Sequence, residues 1–171
     1  MYDFLSLILF ILPSYVANAV PVLLGGGLSL DINKKLFDNE RIFGDGKTIR
    51  GFVAGVAAGT VVAALLANYM QSPFFDNKKM QFMAGVMLAF GTMLGDAAGS
   101  FIKRRLKRKH GAPFFPDTFL FVIVAMALAY PFTLQNFYQI ENIAILVGLT
   151  LILHPVFNII ANKLGLKKVP W

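Results

Sequence analysis

Long apolar runs, separated by short polar or charged segments, dominate the chain. Five runs are apparent, at about residues 4–28, 51–70, 80–102, 118–134 and 143–160. Each has about 17–25 residues, the length that crosses a hydrocarbon core of ~30 Å as a helix, and only the fourth is short. In the first run, Pro13 and Pro21 predict a kink or an unwound turn. The pattern predicts an all-α membrane protein with five transmembrane helices in a single domain over residues 1–171.

Composition supports this class. Of the 171 residues, 57% are hydrophobic and 15% are charged, which is typical of a membrane protein and not of a soluble domain. The chain has no cysteine, so disulfides and thiolate metal sites are excluded. The first run has no basic residues before it, so we interpret it as a membrane span and not as a cleaved signal peptide.

The distribution of basic residues predicts an orientation. Fourteen of the sixteen Lys and Arg residues lie in residues 30–50, in residues 103–116 or after residue 161. Because cytoplasmic flanks are enriched in Lys and Arg, we expect the N-terminus outside and the C-terminus in the cytoplasm. Asp31, Asp38 and Glu40 of the first loop are then expected to be solvated. The remaining polar residues of interest would gather at the cytoplasmic face: Asp45, Asp96, Lys103, Arg104 and Asp117.

The third apolar run carries a carboxylate, Asp96, roughly 10 Å along the helix axis before Lys103. An ionised group at this depth costs at least a few kcal/mol in lipid, so Asp96 should face protein, water or a cation. Helical spacing places it in a continuous polar stripe: Thr92, Asp96, Ser100, Lys103 and Arg104.

Glycine recurs at every fourth position in two of the runs. The second run has Gly51, Gly55 and Gly59, and the third has Gly91, Gly95 and Gly99. Such stripes allow close approach of helix backbones, so we expect the second and third helices to pack together. That contact would bring residues 44–50 near Asp96. The alternative is that glycine is simply common in membrane helices.

A glycine-flanked turn, Gly44-Asp45-Gly46-Lys47-Thr48, precedes the second run. It is not a phosphate loop of the Walker type, because Arg41 stands where the first glycine is required and no strand precedes it. Backbone N–H groups at a helix N-terminus and the Lys47 ammonium still favour phosphate. A helix cap with a positive anchor is the alternative.

The basic run after the third span has two parts. We interpret residues 107–109 as anchors to anionic lipid heads, whereas Lys103 and Arg104 continue the Asp96 stripe and can reach a pocket. No nucleic-acid partner is expected, because the run lies against the bilayer without a recognition module. Asp117 taken alone would be a helix cap. Together with Asp96 it forms a pair of carboxylates suited to Mg²⁺.

These residues resemble a known family. Residues 95–104, Gly-Asp-Ala-Ala-Gly-Ser-Phe-Ile-Lys-Arg, are similar to the Gly-Asp-x3-Ser-x2-Lys-Arg signature of membrane CTP-dependent cytidylyltransferases. Residues 13–22 and 44–52 resemble the archaeal branch, the CDP-archaeol synthases. The resemblance implies that CTP and 2,3-bis-O-geranylgeranylglycerol 1-phosphate become a CDP-lipid and pyrophosphate, with Mg²⁺, at the cytoplasmic side of the cell membrane.

The resemblance also implies roles for individual residues. Asp96, Asp117 and Lys103 would be catalytic, and Asp96 and Asp117 would hold the metal. Nucleotide and phosphate binding would involve a larger set: Gly44, Asp45, Gly46, Lys47, Thr48, Ser100, Lys103 and Arg104. The chain departs from the family at one position, because Leu120 stands where a second aspartate is usual at the start of the fourth span.

Two other functions remain open from the sequence. One is a CTP- or ATP-dependent lipid kinase, which would release a nucleoside diphosphate instead of pyrophosphate. The other is a non-enzymatic membrane protein that binds anionic lipids, for which Leu120 is the best support.

Overall fold

The computed structural model describes residues 4–108 and 116–167, and the regular secondary structure within these ranges consists of helices and two isolated β-bridges. The helices are α1 (Phe4–Leu24), α2 (Ile49–Tyr69), α3 (Lys78–Arg105), α4 (Asp117–Ala129) and α5 (Ile140–Lys163), with 3₁₀ turns at Tyr130–Phe132 and Gln135–Tyr138. Lys109, one of the predicted lipid anchors, lies outside the described residues.

Four of these helices, α1, α2, α3 and α5, are long and apolar enough to cross a membrane. By contrast, α4 has 13 residues. At 1.5 Å per residue it is about 20 Å long, which is short of a ~30 Å hydrocarbon core. The span predicted over residues 118–134 is therefore not confirmed and stays a prediction: the α-helix is short, and a 3₁₀ turn extends the apolar helical segment to Phe132. Pro131 lacks the N–H that an α-helix needs, and it lies in the 3₁₀ turn that follows α4.

The bounds of α1 and α5 also differ from the prediction. Helix α1 ends at Leu24 and not near residue 28, because Gly26 and Gly27 have φ of +97° and +78°. It runs through Pro13 and Pro21 as one helix, so the predicted unwound turn is absent from α1. Helix α5 is longer than predicted and continues through Pro155.

The predicted packing of α2 on α3 is confirmed, but the two glycine stripes face different neighbours. A Cβ at Gly55 would lie 2.6 Å from Met93 Sδ of α3 and from the Ala17 carbonyl of α1. In contrast, the stripe of α3 faces α4, since a Cβ at Gly95 would lie 2.5 Å from the Phe121 Cα. Small residues on α3 thus bring α4 close, as those on α2 bring α1 and α3 close.

Packing is uneven across the bundle. Helix α3 is central: 56% of the residues in its most apolar 18-residue stretch are buried. In the corresponding stretch of α5, only 11% are buried. At one end of the bundle, Phe10 packs with Phe74 and Phe137 at ring-centroid distances of 5.9 Å and 3.9 Å. The charged first loop and the C-terminal end of α3 lie at the other end, and the candidate site is there.

Candidate active site

The first element of the site is an ion pair between Lys47 and Asp96. Lys47 lies in the loop just before α2, and Asp96 lies on α3 one turn before Ser100. About a quarter of each side chain is exposed, 25% for Lys47 and 27% for Asp96. The packing of α2 on α3 therefore brings the glycine-flanked turn to Asp96, as the sequence predicts.

The second element is an ion pair between Lys103 of α3 and Asp117, the first residue of α4, with an Nζ–Oδ2 distance of 2.5 Å. Asp117 thus pairs with a cation, which a helix cap alone does not explain. Its position depends on Gly99, where a Cβ would lie 2.7 Å from Asp117 Oδ1. The Asp117 carboxylate thus lies against α3 at Gly99, three residues after Asp96 in the chain.

Arg104 supplies a further cation. Its side chain lies beside Gly44, where a Cβ would be 3.7 Å from Arg104 Cδ, and Gly44 has φ of +87°. The Arg104 Nε is buried and has no hydrogen-bond partner in the described part of the chain. A buried donor without an acceptor is costly, and the Nε of the neighbouring Arg105 is buried and unpaired in the same way.

The first loop is held by a buried carboxylate, Asp31, whose side chain is 0% exposed. Asp31 accepts hydrogen bonds from Arg41 Nε at 3.1 Å, from Arg41 Nη2 at 2.5 Å and from the backbone N–H groups of Phe43 and Gly44 at 3.0 Å. Burial alone would raise the pKa of Asp31, but these donors outweigh it and hold the pKa well below its usual range. The prediction that Asp31 is solvated is wrong.

A second contact fixes the loop to α3. Arg105 donates to Asp38 Oδ1 at 2.6 Å and to the carbonyls of Glu40 and Arg41 at 3.2 Å and 2.6 Å. Asp38 is therefore also an internal partner and not a solvated residue. Together with Asp31, this contact determines where the loop presents Gly44 and Lys47 to α3.

The remaining residues of the glycine-flanked turn have different surroundings. Asp45 is 79% exposed and pairs with Arg41 at 2.8 Å, on the solvent side. Gly46 lines a cavity of about 70 Å³ together with Lys47 and Asp96. The Thr48 hydroxyl caps α2 by accepting from Gly51 N–H at 3.1 Å.

This arrangement limits the helix N-terminus as a phosphate site. The N–H of Ile49 donates to Leu28, and those of Gly51 and Phe52 donate to Thr48. With these donors already bonded, a phosphate at this turn would depend mainly on the Lys47 side chain.

The polar stripe of α3 divides between different neighbours. Thr92 is buried and hydrogen-bonds Ser14 of α1 and the Leu88 carbonyl. Ser100 is buried one turn before Arg104. Asp96 thus faces the first loop and Lys103 faces α4, so one stripe connects three segments of the chain.

Sequence reasoning missed one basic residue of this region, Lys167, in the segment after α5. Its Nζ donates to Asn158 Oδ1 at 2.7 Å. Burial, followed by repulsion from Lys47, lowers the pKa of Lys167 to about 8. Its partner Asn158 lies 3.4 Å from His154 Nε2, and the His154 ring centroid is 5.3 Å from that of Phe121, which packs against Gly95 next to Asp96. No local motif indicates this, because the lysine reaches the site through the tertiary fold.

Asp96 and Asp117 are the candidate metal ligands. The described residues contain no group of three or more His, Cys, Asp or Glu side chains arranged to hold a metal ion. Mg²⁺ commonly uses only one or two carboxylates and takes its other ligands from substrate phosphates and water. Asp96 and Asp117 supply hard oxygen donors of the type that Mg²⁺ takes together with the oxygens of a phosphate substrate.

Comparison with known proteins gives a consistent result. The CDP-archaeol synthase family model (CarS-like) matches residues 1–171. The CDP-archaeol synthase of Thermococcus gammatolerans is 44% identical, covering 95% of this chain and 93% of that protein. The one from Archaeoglobus fulgidus is 42% identical, covering 98% and 97%.

A solved structure extends the comparison to the fold. It is that of an intramembrane enzyme for archaeal membrane lipid biosynthesis, 33% identical in sequence with a TM-score of 0.78. The match covers 92% of this chain and 95% of the other. By sequence and by fold, the chain belongs to the CDP-archaeol synthase family.

Proposed function

We propose that this protein transfers CMP from CTP to 2,3-bis-O-geranylgeranylglycerol 1-phosphate, giving a CDP-lipid and pyrophosphate. The observation that carries the proposal is the pairing of two carboxylates with lysines beside Arg104, whose buried Nε is unpaired in the described residues. Phosphate groups are the ligands that such a set of basic side chains binds well. Membership of the CDP-archaeol synthase family supports the choice of CTP and of an archaeal lipid phosphate.

In the reaction, an oxygen of the lipid phosphate attacks the α-phosphorus of CTP in line. The new O–P bond forms as the bond from the α-phosphorus to the bridging oxygen breaks, and pyrophosphate leaves with that electron pair. A phosphate monoester with a second pKa of about 6 is largely ionised at neutral pH, so no protein base is needed. The barrier is mainly one of charge and position.

The basic side chains serve both requirements. Lys47, Lys103 and Arg104 surround the region where the two anions must meet, and each can donate to phosphate oxygens. Lys47 and Lys103 each contact their aspartate through one Nζ–Oδ2 hydrogen bond. The ammonium group of either lysine can therefore turn to donate to a bound phosphate instead. Arg104 needs no such exchange at its Nε.

Asp96 and Asp117 would hold Mg²⁺, which when bound supplies positive charge against the phosphates. Leu120 does not remove this possibility, because both of these aspartates are present. Its side chain lies near Gly99, where a Cβ would be 3.5 Å from Leu120 Cδ1 and 2.7 Å from Asp117 Oδ1. An acid at position 120 would therefore lie close to Asp117, and its replacement by leucine leaves Asp117 as the acidic ligand from α4.

The protein is a multi-pass membrane protein, and we place the site at the cytoplasmic face of the cell membrane. The end of the bundle that bears the site also bears most of the basic residues. CTP would approach from the cytosol, and the isoprenoid chains would remain in the bilayer.

The test is incubation of the purified protein with radiolabelled CTP, Mg²⁺ and the lipid phosphate, followed by identification of both products. We expect a labelled CDP-lipid and pyrophosphate, whereas release of a nucleoside diphosphate would identify a kinase instead. Asp96→Asn should lower the rate about 100-fold or more. Asp76→Asn is the matched control, since Asp76 is an exposed aspartate in the loop before α3. Equal rates for the two variants would overturn the role of Asp96.

A further inference from the structure

Lys167 is held in place by contacts with the last turns of α5. Its Nζ donates to Asn158 Oδ1 at 2.7 Å, and its backbone carbonyl accepts from Asn162 Nδ2 at 2.8 Å. The segment after Lys163 thus folds back along α5 and does not extend away from it. As a result, Lys167 is partly buried, whereas Lys163 is exposed.

The charges around Lys167 favour an anion. Lys47 and Lys103 are already paired with Asp96 and Asp117. Lys167 is connected to this region through Asn158 and His154, whose ring centroid lies 5.3 Å from that of Phe121 on α4. The Nζ hydrogen bond of Lys167 goes to a neutral amide. Lys167 therefore adds positive charge to a region in which both aspartates are already neutralised.

The surface that leads to Lys167 is apolar and belongs to the least packed helix. Phe157, next to Asn158, is 52% exposed, and its ring centroid lies 6.4 Å from that of Tyr15 on α1. Tyr15 in turn lies 6.3 Å from Phe121 on α4. An apolar chain lying along α5 would thus have its polar head beside Lys167.

We propose that Lys167 binds the phosphate of the lipid substrate and that Asn158 positions the Lys167 side chain. This inference rests on the proposed function and adds a substrate-binding residue from the C-terminal segment. The triphosphate of CTP offers the same chemistry, so the experiment separates the two sources of phosphate.

The experiment compares Lys167→Met, Lys167→Arg and the matched control Lys163→Met in the full-length protein. KM is measured for each substrate with the other at saturation. We expect Lys167→Met to raise KM for the lipid phosphate by roughly tenfold or more, the loss of one hydrogen bond between charged groups. KM for CTP should stay within about twofold, and Lys167→Arg should restore most of the lipid affinity, since arginine also binds phosphate.

A binding measurement separates this inference from the proposed function. Radiolabelled 2,3-bis-O-geranylgeranylglycerol 1-phosphate and the alcohol without its phosphate are bound to the protein in nanodiscs. Wild type should prefer the phosphate, and Lys167→Met should lose roughly tenfold of that preference. The same loss in a protein that transfers no CMP would support Lys167 and overturn only the proposed function. A rise in KM for CTP alone, or Lys167→Met behaving like Lys163→Met in both assays, would overturn the inference.

Discussion

The first loop and the candidate active site both hold aspartates against basic side chains, but they do so differently. Asp31 in the loop is fully buried and accepts hydrogen bonds from Nε and Nη2 of Arg41 and from two backbone N–H groups. Asp96 and Asp117 are each about one-quarter exposed and pair with a lysine. The geometry of Asp31 suits a permanent structural role, whereas that of the other two leaves carboxylate oxygens for a ligand.

This difference has a functional consequence. An arginine fork and backbone donors fix a carboxylate in one orientation, while a lysine is a flexible point charge that can move to another acceptor. The rigid loop can therefore present Gly44 and Lys47 at a constant position. At the site, the exchange of lysine from carboxylate to phosphate would accompany substrate binding.

The strongest test of this comparison is the stability of two matched variants. Asp31→Asn should lower stability by about 3 kcal/mol, because the buried Asp31 carboxylate accepts from Arg41 and from the backbone N–H groups of Phe43 and Gly44, and a neutral amide accepts less well. This corresponds to a decrease of roughly 6–12 °C in the Tm in detergent. Asp96→Asn should change the Tm by much less while removing activity. A smaller Tm loss for Asp31→Asn than for Asp96→Asn would contradict the division into structural and functional aspartates.

A second test concerns the space that the site carboxylates need. A Cβ at Gly99 would meet Asp117 Oδ1, so Gly99→Ala should displace this carboxylate from Lys103. Misplacement of a reacting group by about 1 Å can cost about 100-fold in rate, and we expect a loss of tenfold to 100-fold here. Gly148→Ala in α5 is the control, since its Cβ would meet nothing within 4 Å. If the two variants had equal rates, the contact between Gly99 and Asp117 would not matter for catalysis.

Whether a feature of the fold or of the site could be predicted from the sequence depends on whether a local sequence pattern indicates it or only tertiary packing creates it. The proximity of Lys47 to Asp96 followed from helix length and glycine spacing, which are local patterns. The partnership of Asp31 with Arg41 did not, because a polar loop with mixed charges has the same composition whether its ion pairs are buried or solvated. Lys167 was missed for a similar reason, since it comes to the site only through the packing of the last helix. The sequence indicated that the fourth span is short, but not that its α-helix ends at Ala129, because the apolar run continues past Pro131.

The pH dependence of stability should separate the two kinds of carboxylate further. Because the pKa of Asp31 is lowered in the folded protein, its contribution is fully present above its unfolded pKa of about 3.9 and is lost as pH falls below that value. The Tm difference between wild type and Asp31→Asn should thus be constant from about pH 8 to pH 5 and decrease below about pH 4. Thermal unfolding across this range measures it. A difference that grows in acid would mean that the folded protein raises this pKa.

The smallest effect is expected at Asp45, which has the charge of the other aspartates without their surroundings. Asp45 is 79% exposed, and its partner Arg41 is held mainly by Asp31. Exposed ion pairs contribute about 0–1 kcal/mol, so Asp45→Asn should leave the Tm nearly unchanged. A carboxylate in the glycine-flanked turn would repel a triphosphate bound there, so the variant should also keep or slightly lower KM for CTP. A clear rise in that KM would show that Asp45 binds the nucleotide, and exposure would then be a poor guide to which aspartates this protein uses.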